Sequence, residues 1–184
     1  MIYVKATLEG GRSNIQSINI MKRINKVSTQ SYFIGDIRII PNDDRIAYED
    51  FTKNKVYVTG KSKAINIDGV DKLSLIDVDD NDNIYVGELE GDYLKGASKF
   101  KSIYYGTTSE DSNNWKKISL NEVVNKKDIY ISRDGKVYIN DNLKGIVTEV
   151  SSNKQTPYKG IFVQMYDDGI ASISDDKLIT VKLN

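Results

Sequence analysis

Short runs of β-branched and aromatic residues, bounded by Asn, Asp and Gly, dominate the hydrophobic pattern of the chain. Alternation of apolar and polar residues within such runs is typical of β-strands, and polar residues between them are typical of turns. The pattern predicts strands at Ile2–Leu8, Tyr32–Ile34, Ile37–Ile40, Arg45–Tyr48, Lys55–Thr59, Ala64–Ile67, Lys72–Val78, Asn83–Glu88, Ser102–Tyr105, Trp115–Ile118, Asp128–Ser132, Lys136–Asn140, Gly145–Val150, Gly160–Tyr166, Ile170–Ser174 and Lys177–Leu183.

The segment IYISRDGKVYIN gives the clearest predicted hairpin. Its two alternating strands flank Arg133, Asp134 and Gly135, and Gly135 supplies the positive φ that such a loop favours. The segment VQMYDDGIASIS repeats this layout near the end of the chain. Both segments therefore predict antiparallel pairing.

Two segments depart from the strand pattern. Apolar residues recur at helical spacing over residues 13–30, behind Ser13 or Asn14 as a cap, so we predict a helix there. In SLNEVVNKK, Ser119 and Glu122 have the spacing of a capping box, which predicts two helical turns between strands.

The fold class follows from a loose repetition along the chain. NKVYVTG, NDNIYVGE, SIYYGTT and GKVYIN each place a turn-type or small residue before an Ile/Val-Tyr strand. Repeated four-stranded units of a β-propeller produce such a repetition, and so do turn-separated strands of a sandwich. We predict an all-β fold, either propeller-like or a β-sandwich of antiparallel hairpins, with at most two short helices. The length of 184 residues fits one domain, 1–184, with residues 1–30 as a candidate distinct N-terminal segment.

Composition excludes several functional classes. Lys plus Arg and Asp plus Glu both number 26, which disfavours a nucleic-acid partner. Without Cys or His, the chain cannot by itself form a Ser-His-Asp triad, a cysteine nucleophile or a thiolate or imidazole zinc site. No apolar run approaches the ~20 residues of a membrane span, so we expect no membrane insertion.

The chain shows no basic and apolar leader after Met1. Its richness in Lys, Asn, Ile, Asp and Tyr is typical of a low-GC bacterium or its phage. We expect an extracellular or virion-associated location if the chain is a fragment of a longer protein, and a cytoplasmic one if it is complete.

The stretch YYGTTSEDSNNWKKIS contains the only tryptophan of the chain. It resembles the Asp-box of sialidase-like β-propellers, a hairpin loop with the pattern Ser-x-Asp-x-Gly-x-Thr-Trp, here at Thr108, Glu110, Ser112, Asn114 and Trp115. Only the tryptophan matches outright, and there is one copy. The resemblance implies a hairpin turn outside the active site, in which the indole covers the hairpin base.

The same tryptophan supports a functional alternative. A surface Trp115 together with Tyr104 and Tyr105 could serve as a stacking platform for a sugar ring or a partner side chain. The twelve tyrosines, in a setting rich in Asn, Ser and Lys, are typical of recognition surfaces.

The stretch DVDDNDNIYVGE is the strongest chemical signal for a metal. Asp77, Asp79 and Asn81 occupy alternate positions of a calcium loop, but Asp82 stands where a glycine normally makes the sharp turn. The flanks are strand-like, so the surroundings are not those of an EF-hand. We expect no cofactor, with calcium on Asp77, Asp79, Asn81 and Asp82 as the alternative to an ordinary Asp/Asn-rich turn.

Two functions remain open from the sequence. A non-catalytic recognition module of a bacterial surface or phage tail protein needs only exposed aromatics and rigid loops, and would bind a glycan or a protein partner. A carboxylate-based, sialidase-like glycoside hydrolase would need two carboxylates, for which the candidates are Glu88, Glu110, Glu122 and Glu149. We expect the binding module, because none of these glutamates lies in a motif. The sequence does not determine the oligomeric state.

Overall fold

The computed structural model describes residues 2–7, 13–18, 24–26, 34–43, 45–91, 98–108, 114–166 and 169–183, with only the backbone described in the first three ranges. Its strands are β1 Ile2–Thr7, β2 Ser13–Ile18, β3 Ile24–Lys26, β4 Ile34–Ile39, β5 Ile46–Asp50, β6 Lys55–Val58, β7 Leu73–Val78, β8 Ile84–Leu89, β9 Lys99–Gly106, β10 Lys116–Asn125, β11 Ile129–Ile131, β12 Val137–Asp141, β13 Ile146–Glu149, β14 Lys154–Pro157, β15 Ile161–Tyr166, β16 Gly169–Ser174 and β17 Lys177–Lys182. A short 3-10 turn covers Lys126–Asp128.

Within the described ranges these strands form five antiparallel sheets, each built from strands that are consecutive in the chain. The first sheet contains β1 to β3, the second β4 to β6, the third β7 to β10, the fourth β11 to β14 and the fifth β15 to β17. The first strands of neighbouring sheets contact one another, β4 with β7 and β7 with β11. Consecutive meanders arranged in this way give an all-β, propeller-like fold, which confirms the predicted class.

Apolar side chains on both faces of the third sheet explain why the sheets stack. In β8, Ile84 and Val86 join a buried cluster shared with the second sheet, through residues such as Val56. The intervening Tyr85 joins a cluster shared with the fourth sheet, through residues such as Val137. Alternate residues of a strand point to opposite faces, so a strand covered on both sides reads as a continuous apolar run.

The helix predicted over residues 13–30 is wrong where the structure describes it. Residues 13–18 form β2 and residues 24–26 form β3, and both pair antiparallel within the first sheet. The Ile-rich segment has apolar residues at both helical and alternating spacing, and its β-branched side chains favour the extended backbone. The remainder of the segment lies outside the described residues.

The two helical turns predicted at SLNEVVNKK are also wrong, because β10 continues through this segment to Asn125. The pairing of β10 with β9 shifts between Ser119 and Val124, which breaks the period-two pattern that a regular strand would show. Val124 is buried opposite Phe100, so burial of a β-branched side chain outweighs the capping-box spacing.

Two further differences concern strand edges. The predicted strand Ala64–Ile67 is absent, although Ile65 N donates to Val56 O at 2.8 Å beside β6. The sequence pattern missed β14, which is polar and ends at Pro157 on the edge of the fourth sheet. Proline is tolerated at such an edge because no neighbouring strand needs its missing N–H.

The predicted hairpin at IYISRDGKVYIN is confirmed, with β11 and β12 paired and Gly135 at a φ of 86°. Its turn is tied to the turn between β7 and β8, because Asp80 N donates to Arg133 O at 3.0 Å. Asn42, in the turn between β4 and β5, donates to Asp80 O at 2.8 Å. The equivalent turns of three consecutive sheets are therefore linked at one end of the fold, which fixes the relative positions of β4, β7 and β11.

Candidate functional site

A pocket of about 530 Å³ lies where the first strands of four sheets come together. We call it the central pocket. Its walls include Arg38 from β4, Asp77 from β7, Tyr130 from β11, Tyr166 from β15, and Lys126 and Lys127 from the 3-10 turn. The volume is within the range of about 300 to 1,000 Å³ that is usual for small-molecule sites.

Lys126 connects the wall of this pocket to the interior. Its Nζ donates to Ser74 Oγ at 2.8 Å and to Glu49 Oε2 at 3.1 Å, and it lies 2.8 Å from Asp36 Oδ2. Its backbone N–H donates to Ser98 O at 2.8 Å, which holds the 3-10 turn against β9. The ammonium therefore has three oxygen partners, from the second and third sheets.

Glu49 is the buried member of this cluster, with 1% of its surface exposed. Its Oε1 atom is fully buried and has no hydrogen-bond partner among the described residues. Burial raises the pKa of the Glu49 carboxyl above its ordinary value, and the neighbouring Lys126 ammonium opposes that rise. The side chain lies behind Lys126 and is not part of the pocket wall.

A second ion pair crosses the pocket wall between β4 and β7. Arg38 Nε donates to Asp77 Oδ1 at 2.9 Å, and Arg38 Nη1 donates to Ile37 O at 3.1 Å. The wall contains four cationic and two anionic side chains in all, because Lys126, Lys127 and Arg133 join Arg38 while Asp36 joins Asp77. The pocket therefore offers many charged donors, a few acceptors and two phenol rings to a ligand.

The residues of the predicted calcium loop have other partners in the structure. Asp79 is buried, and its Oδ1 accepts from the backbone N–H groups of Asn81 and Asn83, both at 2.9 Å. Its Oδ2 accepts from Asn83 Nδ2 at 2.9 Å and lies 3.0 Å from the hydroxyl of Tyr85. Burial and the nearby Asp79 raise the pKa of that phenol.

The carboxylates of Asp77 and Asp82 have partners other than a metal ion, and the third predicted ligand is exposed. Asp77 pairs with Arg38 in the central pocket, Asp82 Oδ1 accepts from Asn42 N at 2.9 Å, and Asn81 is exposed. Asp82 adopts a φ of 62°, so an Asp takes the turn position where a calcium loop has glycine. Among the described residues, no three acidic side chains form a group able to hold a metal ion.

The three predicted platform aromatics do not share one surface. Tyr104 is buried in the cluster between the second and third sheets, and Trp115 packs against that cluster. Tyr105 follows Tyr104 in β9 and points to the other face, where its ring stacks on Tyr85 at 5.3 Å. Contact of a ligand with Trp115 therefore does not require contact with both tyrosines. Ligand binding by these three residues stays a prediction.

Trp115 lines a depression of about 480 Å³, separate from the central pocket. Lys61, Lys63 and Ile65 form one side of it, and Thr107 and Thr108 form another. Thr108, the first residue of the Asp-box-like stretch, accepts a hydrogen bond from Arg45 Nη2 at 2.7 Å. Glu110 and Ser112 of that stretch lie outside the described residues.

Of the glutamates that the sequence suggested for glycoside hydrolysis, the three that the structure describes do not line the central pocket. Glu88 pairs with Lys101 at 3.0 Å, and Glu149 accepts from Ser151 Oγ at 2.7 Å. Glu122 is exposed and lines a smaller depression of about 220 Å³ beside β10. Glu110 lies outside the described residues.

Most residues of the central pocket carried no sequence signal. Lys126 and Lys127 lie in an ordinary polar segment, Asp36 lies among the apolar and small residues of FIGDI, and Glu49 resembles any other carboxylate at a strand end. The available clue was a carboxylate that directly follows an apolar run, because β5 reads IAYED, and the structure buries all five of these residues. That clue gives no information on the partner, since Lys126 is 77 residues away.

Among the described residues, no helix is long and apolar enough to cross a membrane. No protein-family model matches the chain, and no curated protein matches it in sequence.

Solved structures are similar in fold. The virginiamycin B lyase of Staphylococcus aureus, in selenomethionine form, has a TM-score of 0.52 and 16% identity, covering 98% of this chain and 69% of the lyase. A catalytically inactive variant of that lyase, in which a histidine is replaced by alanine, was solved with quinupristin and has a TM-score of 0.51 at 16% identity, with the same coverage. A streptogramin B lyase has a TM-score of 0.50 at 15% identity, covering 98% of this chain and 68% of the lyase. At this identity the similarity shows that the chain shares the propeller-like fold of these proteins.

Proposed function

We propose that the chain is a non-catalytic recognition module that binds a polar ligand, a glycan or a polar segment of a protein, in the central pocket. The observation that carries this proposal is the convergence of paired charges and phenol rings on one concavity of about 530 Å³ between the first strands of four sheets. Hydroxyl-rich ligands need several donors and acceptors held in fixed positions, together with apolar ring faces.

The fixed positions come from the interior rather than from the pocket surface. Lys126 is oriented by Glu49, Ser74 and Asp36, and Arg38 is oriented by Asp77. Side chains that are already held by partners lose little further freedom when a ligand binds, which favours affinity and specificity.

The chemistry present in the pocket supports binding over turnover. Each of the two carboxylates in its wall is paired with a cation, Asp36 with Lys126 and Asp77 with Arg38. The acid with a raised pKa, Glu49, has its oxygens buried behind Lys126, so a ligand in the pocket would not contact it. The virginiamycin B lyase with a similar fold is catalytically inactive in a variant whose histidine is replaced by alanine. This chain contains no histidine.

The biological setting that we propose is a bacterial surface or a phage tail, where modules of this kind recognise glycans or proteins. The depression at Trp115 is a second candidate site, because an indole beside Lys61 and Lys63 suits an acidic sugar. In that case the Asp-box-like hairpin would contribute to recognition as well as to packing.

A screen of bacterial-surface glycans, with a pull-down for protein partners, would test the proposal with four chains. These are the wild type, Lys127→Gln in the central pocket, Trp115→Ala in the second depression, and Lys154→Gln as the control. Lys127 and Lys154 are both exposed, and each substitution removes one positive charge, but Lys154 lies on the outer strand of the fourth sheet.

We expect Lys127→Gln to weaken binding at least about tenfold, equivalent to roughly 1.4 kcal/mol, while Lys154→Gln has no effect. Loss of binding only in Trp115→Ala would indicate that the ligand binds in the second depression instead of the central pocket. Hydrolysis of a glycoside, abolished by a single change such as Glu122→Gln, would instead support the carboxylate-based hydrolase.

A further inference from the structure

Among the described residues, only one face of the fifth sheet is covered by other parts of the chain. Phe162 and Val181 point toward the fourth sheet and join a cluster with Tyr138 and Tyr158. The third and fourth sheets, in contrast, have apolar clusters on both sides, shared with the sheets before and after them. The outer face of the fifth sheet is thus in the position where a further sheet would stack.

Large apolar side chains occupy that outer face in register. Ile161, Ile173 and Leu178 lie opposite one another across β15, β16 and β17 and form one row. Their exposed fractions are 74%, 43% and 67%. Val163, next to this row on β15, is 47% exposed. A contiguous exposed apolar patch of this kind is uncommon on a monomer and marks an interaction surface.

Charged residues flank the row with opposite signs at its two ends. Lys159 is exposed and lies two residues before β15, beside Ile161. Asp175 and Asp176 form the turn between β16 and β17, beside Leu178. The outer face therefore carries a cation at the β15 side of the row and two anions at the β17 side, where Lys177, one residue before Leu178, points to the opposite face.

We propose that this face binds the same face of a second copy of the chain, as a two-fold dimer whose axis runs parallel to the strands. Rotation about that axis places β15 of one copy over β17 of the other, so the two apolar rows stack. It also places Lys159 of each copy beside Asp175 and Asp176 of the other. The contact continues the face-to-face packing already present between the third, fourth and fifth sheets, and it is separate from ligand binding in the central pocket.

Sedimentation or light scattering over about 1 to 100 µM protein would test the dimer, because association depends on concentration. We expect Leu178→Lys and Ile161→Lys to raise the dissociation constant of the dimer at least tenfold. Leu143→Lys is the matched control, because Leu143 is fully exposed in the turn between β12 and β13, away from this face. Circular dichroism would confirm that each variant is folded.

The charge arrangement provides an independent test of orientation. Lys159→Glu should weaken the dimer at low salt, and Asp176→Asn in the same chain should restore part of the loss by removing the new repulsion. A wild-type chain that stays monomeric at every concentration would overturn the proposal and leave the face to another partner. A dimer unaffected by Leu178→Lys and Lys159→Glu would overturn it as well.

Discussion

The Lys126 ammonium lies 3.1 Å from the Glu49 carboxylate and joins the wall of the central pocket to the buried part of the second sheet. Glu49 is 1% exposed, whereas Lys126 faces the pocket with 18% of its side chain exposed. A buried charge is tolerated in a protein when a partner compensates for its lost hydration. The shape of the pocket and the stability of the fold therefore depend on the same contact.

Replacing Lys126 by Met should destabilise the chain strongly. The substitution leaves Glu49 buried without its cation, and loss of one partner of a buried pair typically costs about 3–5 kcal/mol. Lys127→Met is the matched control in the same 3-10 turn, and at an exposed position it should change the free energy of unfolding by less than about 0.5 kcal/mol. Urea unfolding of both variants measures the difference. Equal stability of the two would contradict the role given to Lys126, whereas partial recovery in Lys126→Met with Glu49→Gln would support it.

Stability should also depend on pH through Glu49. Burial raises its pKa in the folded chain above the ordinary value of 4.5, so the folded state retains a proton that the unfolded chain has released. The stability that Glu49 contributes is complete below pH 4.5 and falls as the pH rises through the folded-state pKa. Relative to Glu49→Gln, which does not titrate, the wild type should lose free energy of unfolding as the pH rises above 4.5 through the folded-state pKa of Glu49. Parallel stability curves for the two chains over this range would contradict the assignment.

Calcium should leave the melting temperature of the chain nearly unchanged. The Oδ1 and Oδ2 atoms of Asp79 already accept hydrogen bonds from Asn81, Asn83 and Tyr85, and an ion would have to displace these donors. Thermal unfolding with millimolar calcium and with a chelator is the measurement. A rise of several degrees with calcium, abolished by Asp79→Ala, would restore the metal hypothesis.

Gly135→Ala should destabilise the chain more than Gly69→Ala. Both glycines have a positive φ, 86° and 77°, so both substitutions carry the backbone strain of about 1 kcal/mol that alanine meets there. A Cβ at Gly135 would also lie 2.7 Å from Asp79 Oδ2 and from the Tyr85 hydroxyl, whereas a Cβ at Gly69 would have no atom of the described residues within 4 Å. Chemical denaturation gives the free energy of unfolding of each variant, and the difference between the two values therefore measures how tightly the Asp79 turn is packed. Equal losses would show that this turn adjusts freely.

Local pattern predicted most of the strands because each sheet is built from strands that are consecutive in the chain. The hairpin around Gly135 and the apolar runs of β7 and β8 follow directly from alternation and turn chemistry. The helix predicted over residues 13–18 is wrong because the apolar residues of this Ile-rich segment fit both helical and extended spacing. Its pairing with β1 favours the extended form, and that pairing cannot be read from the segment itself. The helical turns predicted around Val124 are wrong for a similar reason, because pairing with Phe100 in β9 keeps this segment extended.

The candidate site could not be predicted to the same extent. Its central contacts join residues far apart in sequence, such as Arg38 with Asp77 and Lys126 with Glu49. Nothing in the local sequence of either partner indicates the other, because the stacking of sheets brings them together. Tyr104 and Tyr105 are neighbours in sequence but point to opposite faces of β9, because adjacent residues of a strand alternate in direction, so ligand binding by these tyrosines together with Trp115 stays a prediction.

The most direct test of the proposed function is methyl NMR of the chain with the glycan that gives the strongest signal in the screen. Binding in the central pocket should shift the methyl resonances of Ile76, Ile129 and Ile131, which line that pocket. The methyl resonances of Ala64 and Ile65, which lie beside Trp115, should not shift. Shifts confined to Ala64 and Ile65, with Ile76, Ile129 and Ile131 unchanged at saturation, would contradict ligand binding in the central pocket.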